Sequence, residues 1–412
     1  MGSIIRLALG NLEIDWGKNG VYSDHSELFQ VTDVVDVERK VYDDYNNEGD
    51  EPLVATYECL SKPLRDVVAR LGLLGVSDES ARRDFAETIC FADYNEVSEE
   101  PSPIDYEEFA ELMLGVEVSS VSDRYQSDFD FGEFFTDEIA PRIGLVRDPL
   151  TLRRYGRSFE NLKAHTVLWM LSRNARNLDL PVIWDYEDHV GEEWSAKEDH
   201  VRTVGRVRQF LIVTEGSSDA YIIKKALALR RPEVADFFYF VDTNSGFPFV
   251  GTGNLHNFCQ GLARIGVLNQ TVIVYDNDAA GRAQWRQTVA LKNLPSNIRV
   301  MLLPDLPPET KFATVGPGGE VLDEVNGRAA AIEAYLDLTE YVDPPKVRWT
   351  SYVNSVEGYQ GEFEGKSRLG RDFLRRTEFT GYDFSKLDII LAAIIEASQD
   401  IARDRRTDGP LR

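Results

Sequence analysis

From residue 206 onward, short apolar runs alternate with segments of helical spacing. Phe210–Thr214, Phe237–Val241, Thr271–Tyr275 and Ile298–Leu303 are runs of aromatic, aliphatic and β-branched residues. Between them lie Ser217–Leu229, a glycine-bearing link (Gly251-Thr252-Gly253-Asn254) that leads into a segment ending at Ile265, and Ala279–Leu291. Unbroken apolar runs of this length suit strands buried on both faces. Strands alternating with helices at this spacing predict βαβ units and a parallel sheet. Residues 201–340 therefore read as one α/β domain.

The first 200 residues have a different texture. Ile4–Asp15 alternates around Gly10-Asn11 and predicts a β-hairpin. Residues 31–52 are acidic and read as loop. Lys62–Leu74 places Leu64, Val67, Val68 and Leu71 at helical spacing. Further helices are predicted from Ser80 to Phe91, over Tyr106–Leu114, over Phe131–Ala140 before Pro141, and over Thr151–Arg176. The last of these puts Leu162, Thr166, Trp169 and Met170 on one face. Asn95–Pro103 is a polar break. Residues 1–200 are thus expected to be mostly α-helical. Residues 341–412 are expected to form a helical extension, with a helix at Ile389–Ile401 and a frayed tail from Arg403.

Charge separates the same regions. The 412-residue chain carries a net charge of −25. Residues 1–150 hold 34 acids against 12 bases, whereas residues 201–412 hold 27 against 26. The acidic face belongs to the first third and argues against non-specific polyanion binding there. It suits a regulatory or docking region, for a protein partner or for a second copy of the chain. The three cysteines, Cys59, Cys90 and Cys259, form no Cys-x-x-Cys pair, so a zinc ribbon and a disulfide framework are not expected. Neither a signal peptide nor a membrane span is read, so a cytoplasmic protein without membrane contact is the expectation. No Gly-x-x-x-x-Gly-Lys-[Ser/Thr] loop occurs, and no ATP site is expected.

Two of the apolar runs end in acids. The first continues as Glu215-Gly216-Ser217-Ser218-Asp219, the third as Asp276-Asn277-Asp278-Ala279-Ala280-Gly281. In a parallel sheet the carboxyl ends of the strands share one rim, where ligands bind. Asp276 and Asp278 lie two apart and face one side in extended backbone. Two carboxylates ~5 Å apart repel by roughly 3 kcal/mol at an effective dielectric of 20. Converging acids therefore take up a proton or a divalent cation, and an all-oxygen set suits Mg²⁺ or Mn²⁺.

This pattern, Glu-Gly-x-x-Asp after strand one and Asp-x-Asp-x-x-Gly after strand three, resembles the Toprim domain. That module is shared by topoisomerases, bacterial primases and nucleases of the overcoming-lysogenization-defect type. The resemblance implies a Toprim-like (Rossmann-like) sheet, Glu215 as metal-linked acid/base, and Asp276 and Asp278 as catalytic Mg²⁺ ligands. Asp219 would support the site or a second metal. Asn326-Gly327 followed by Ile332-Glu333-Ala334-Tyr335-Leu336 is similar to the stretch after the core of nuclease-type Toprim proteins, which makes Glu333 a candidate second-metal carboxylate. The chain also resembles HEPN/Toprim-associated bacterial proteins, suspected anti-phage effectors, through Leu9-Gly10-Asn11-Leu12-Glu13-Ile14.

Lys311, Arg282 and Lys366 are the candidate phosphate contacts. The last belongs to a basic cluster with Arg368, Arg371, Arg375 and Arg376, interleaved by Tyr359, Phe363 and Phe373. Amphipathic packing explains those aromatics equally well. Arg157 and His165 are spaced too widely for the Arg-x4–6-His motif of a HEPN ribonuclease. The leading expectation is an Mg²⁺-dependent endonuclease acting on DNA or RNA. The alternative is a non-catalytic Toprim scaffold that binds nucleic acid or a partner protein.

Overall fold

A computed structural model describes residues 3–41, 53–95, 104–126, 131–143, 156, 158–241 and 252–407. The expected breaks at Asn95–Pro103 and Gly251, the start of the Thr151–Arg176 segment, and Arg157 fall wholly or largely outside these residues. Helices of eight or more residues are numbered in chain order. The chain forms two units, Met1–Val204 and Gly205–Arg412.

The first unit is built on an antiparallel sheet, not on helices alone. Its strands are β1 (Ile4–Leu9), β2 (Leu12–Lys18), β3 (Val34–Val41), β4 (Leu53–Pro63) and β5 (Pro181–Asp185), in the order β2-β1-β5-β4-β3. The β1–β2 hairpin turns at Gly10, whose φ of +53° suits glycine. Alternation buries Ile5, Leu7 and Leu9. The helices are α1 (Leu64–Leu73), α2 (Asp78–Asn95), α3 (Tyr106–Leu114) and α4 (Ala164–Leu171).

Expectation fails here in three places. The mostly helical region contains five strands. Residues 34–41, read as acidic loop, form β3, an edge strand whose charged positions keep that edge soluble. The long helix expected over Thr151–Arg176 is interrupted: residues 156, 158 and 159 are helical, the chain turns at 160–162, and α4 begins at Ala164 after a non-helical Lys163 (φ −58°, ψ 131°). In the upstream helical stretch Phe159 is fully buried and stacks on Phe109 at 4.8 Å.

The second unit contains the predicted parallel sheet. Its strands β6 (Phe210–Thr214), β7 (Phe238–Phe240), β8 (Gln270–Tyr275) and, after a two-residue strand β9 (Asn277–Asp278), β10 (Ile298–Leu302) run parallel in the order β10-β8-β6-β7. Every residue of the central β8 is buried. On one face Val213, Ile273 and Tyr275 pack with Leu255, Cys259 and Leu262 of α6 (Thr252–Ile265), joined by Trp285 of α7 (Ala279–Val289). Helix α5 (Ser217–Arg230) follows β6 and packs against both later helices, α8 (Lys366–Arg375) and α9 (Ser385–Thr407).

Residues 341–412 are not purely helical. β14 (Val347–Val353) and β15 (Gly358–Phe363) form a ribbon that joins β11 (Phe312–Gly316) and β12 (Gly319–Asp323) in a second sheet, ordered β12-β11-β14-β15. The β-branched and aromatic content of Val347-Arg348-Trp349-Thr350-Ser351-Tyr352-Val353 favours strand. A short strand β13 (Ala329–Ala330) pairs with β9, Ala329 opposite Asp278 and Ala330 opposite Asn277. No helix among the described residues is long and apolar enough to cross a membrane.

Candidate active site

Adjacency of β6 and β8 brings the two acid-bearing strand ends together. Glu215 follows β6 and Asp276 follows β8, and the strands register with Thr214 beside Val274. The Asp276 backbone N–H donates to Glu215 Oε1 at 3.1 Å. Helix α7 starts hard against this contact. A Cβ on Gly281 would lie 2.1 Å from the Asp276 carbonyl oxygen and 3.1 Å from Glu215 Oε1, so only glycine fits.

Asp278 is the N-cap of α7. Its Oδ1 accepts the Gly281 N–H at 2.7 Å, and its Oδ2 accepts from Gln360 Nε2 at 2.6 Å. Gln360 Oε1 in turn accepts the Ala280 N–H at 2.9 Å. Asp219, in the first turn of α5, accepts the Gly216 N–H at 3.1 Å and the Ser218 hydroxyl at 3.2 Å. Both residues therefore hold helix starts in place while adding charge to the site.

Pairing of β13 with β9 carries the following turn, Ile332–Tyr335, onto the same rim. Glu333 is 1% exposed there, on a 3₁₀ turn. The turn is held by Asn277, whose Oδ1 accepts the Gly327 N–H at 3.0 Å and whose Nδ2 donates to Asp305 at 2.7 Å. Lys366, the first residue of α8, places Nζ 3.6 Å from Asp276 Oδ2 and 3.6 Å from Glu333 Oε2. Of the three basic candidates, Lys366 alone forms ion pairs with the acids among the described residues. Arg282 packs its guanidinium against Gly327. Lys311 is exposed ahead of β11, and its charge acts on Asp323.

One ammonium does not neutralise this crowd. Burial, then the charge of Asp278, pushes the Glu215 carboxyl up to about 8 against the pull of the Asp276 N–H. Burial also pushes Glu333 up to about 7, with Lys366 opposing. Asp219 and Asp276 are raised as well, again chiefly by burial. Burial works against the charge of Lys366, but Asp276, Glu333 and Asp219 outweigh it and hold the ammonium above its ordinary value.

The donor chemistry fits a hard divalent cation: every candidate ligand is a carboxylate, and Glu333 Oε2 is buried without a hydrogen-bond partner. Among the described residues no group of three or more His, Cys, Asp or Glu side chains stands as a ready-made cage. Lys366 bridges Asp276 and Glu333, and Asp278 has both oxygens engaged. Glu215, Asp276 and Glu333 carry fewer hydrogen bonds than Asp278 and Asp219, whose oxygens keep further lone pairs for a cation.

Sequence reasoning missed Gln360 and Asn277. Gln360 lies 82 residues beyond the aspartate it holds, and nothing in its local pattern marks it. Asn277 stands between two flagged acids and was legible as a latch only once β13 was placed. The aromatics of the basic cluster divide: Phe363 and Phe373 are buried in the core, while Tyr359 is exposed. His165 sits 5.7 Å, ring to ring, from His25.

No curated protein and no solved structure matches the chain. The family model described as HEPN/Toprim N-terminal domain 1 matches residues 1–208, half of the sequence. The chain belongs to the HEPN/Toprim N-terminal domain 1 family.

Proposed function

We propose that the second unit is a Toprim-type, Mg²⁺- or Mn²⁺-dependent endonuclease acting on DNA or RNA, in an anti-phage defence role. The observation that carries the reading is the convergence of Glu215, Asp276 and Glu333 with Lys366 on the carboxyl rim of a parallel sheet. Membership of a HEPN/Toprim family supports a nuclease-associated or defence-related role. Asp276, Glu333 and Glu215 would hold the cation, with Asp278 and Asp219 adding charge from the second layer. When bound, such a cation polarises a phosphoryl oxygen and lowers the pKa of water. Without a cation, burial holds the Glu215 carboxyl up at about 8, so loading the cation there would release a proton. Lys366 supplies a positive charge beside the acids for the phosphate to approach.

Purified full-length protein should cleave DNA or RNA with Mg²⁺ or Mn²⁺, and EDTA or Asp276→Ala should abolish cleavage. Equal activity in the alanine variant would refute the assigned site. A scaffold is the second reading, favoured by one observation: Lys366 already bridges Asp276 and Glu333, an internal counter-ion that a non-catalytic fold can keep. Absence of cleavage on every nucleic acid with either metal would favour it.

A further inference from the structure

Beside the acid cluster, α5 and α8 flank a groove of about 470 Å³. Its floor carries Glu333 and Lys366, and its walls carry Tyr221 from α5 and Arg371 and Arg375 from α8. The arginines are one helical turn apart, at i and i+4, and share a face. Gly370 immediately precedes Arg371 and is buried, its Cα facing Ile222 of α5.

The arginines on and just after α8 differ in their partners, and Arg375 borders both this groove and the adjoining cavity lined by Arg368, Asp372 and Arg376. Arg368 pairs with Asp372 at 3.5 Å, and Arg376 pairs with Glu340 at 2.8 Å. Arg371 and Arg375 have no carboxylate partner among the described residues. Two cations without a carboxylate partner on a groove suit an anion that arrives from outside. Two phosphates of one backbone are the chemistry that meets i, i+4 guanidiniums. Tyr221 is 37% exposed at the same groove, and an exposed ring beside backbone-binding cations is a stacking platform for an unpaired base. Pockets that enclose one drug-sized ligand span roughly 300–1,000 Å³. The groove's volume falls in this range, enough room for a nucleotide.

We propose that this groove binds one unpaired strand of nucleic acid, with Arg371 and Arg375 on its phosphates and Tyr221 stacked on a base, feeding the strand across Lys366 to the acids. The inference rests on the nuclease reading for its consequence, and its test separates the two. Fluorescence anisotropy of the full-length chain in EDTA measures binding without cleavage, using labelled oligodeoxyuridylate, oligouridylate and a duplex of equal length. A single strand should bind more tightly than the duplex, and the tighter of the two homopolymers assigns the sugar. Tyr221→Ala should weaken binding by roughly 5- to 150-fold, and Tyr221→Trp should restore it. Arg371→Gln with Arg375→Gln should flatten the slope of log affinity against log salt by about 1.4, at roughly 0.7 per phosphate released. Arg368→Gln should bind as the parent does. Parent-like binding in the Tyr221 and Arg371/Arg375 variants, or tighter binding of duplex, would overturn the groove. Cleavage of single strands at parental rates by these variants would overturn the groove and leave the nuclease. Groove-dependent binding with no cleavage under Mg²⁺ or Mn²⁺ would sink the nuclease and leave the groove.

Discussion

Replacing Lys366 with methionine removes the one ammonium between Asp276 and Glu333. Each ion pair spans 3.6 Å, which at an effective dielectric of 20 is worth about 4–5 kcal/mol. The lysine side chain is 35% exposed, so water screens part of this, whereas Asp276 and Glu333 are 9% and 2% exposed and cannot turn to solvent. Breaking a buried pair from one side costs roughly 3–5 kcal/mol. After discounting for exposure, a loss on the order of 2–4 kcal/mol is expected for the second unit. For a unit of this size that corresponds to about 5–15 °C in melting temperature. The assay is thermal unfolding of parent and Lys366→Met in EDTA at pH 8 and at pH 5, then at pH 8 with Mg²⁺. The deficit should be full at pH 8. It should shrink at pH 5, where Glu333, already raised to about 7 in the parent, takes up a proton instead. Mg²⁺ should narrow it at pH 8 by supplying the missing charge. A variant melting with the parent at pH 8, or one with the same deficit at both pH values, would refute the account.

Three other perturbations probe the same rim. Glu215 holds its proton up to about 8 in the fold but releases it near 4.5 when unfolded, so the native state binds the extra proton between those values. Stability should fall as pH rises from 4.5 towards 8, by up to about 1.4 kcal/mol per pH unit, and denaturant titrations of Glu215→Gln should lack that component; an unchanged slope would remove Glu215 as its source. Gly281→Ala sets a Cβ 2.1 Å from the Asp276 carbonyl and should cost about 3 kcal/mol or more, read by urea denaturation; a neutral substitution would contradict the placement of α7. Gln360→Ala should cost only about 1–2 kcal/mol in stability, yet lower kcat well beyond any change in KM, because Asp278 loses the donor that aims it; parental kcat would make Gln360 merely structural.

The parallel sheet was legible because it is buried on both faces. Phe210–Thr214 and Thr271–Tyr275 have no solvent side and therefore no polar alternation to confuse them with helix. The convergence of Glu215 with Asp276 followed from that sheet once β6 and β8 proved to be neighbours. The first unit was harder to read because its strands are separated by long stretches of chain: β5 pairs with both β1 and β4, more than a hundred residues upstream. Local spacing signals the helices α1 and α3 but carries no mark of such pairings. The same distance problem hides Gln360. Asp278 reads as a metal ligand from its spacing to Asp276, yet much of its hydrogen-bonding capacity goes to capping α7, a role that any helix-initiating aspartate can take.

The order in which these groups appear along the chain has a consequence for synthesis. A ribosome makes the acids at 215, 219, 276 and 278 first, then Glu333, and only afterwards Gln360 and Lys366. At about 5–20 residues per second, several seconds separate Asp278 from the residues that brace and neutralise it. Through that interval the nascent sheet has its carboxylates but not the lysine that offsets them, and the groove lacks its α8 wall. The acid rim and its groove are therefore complete only once α8 has been made.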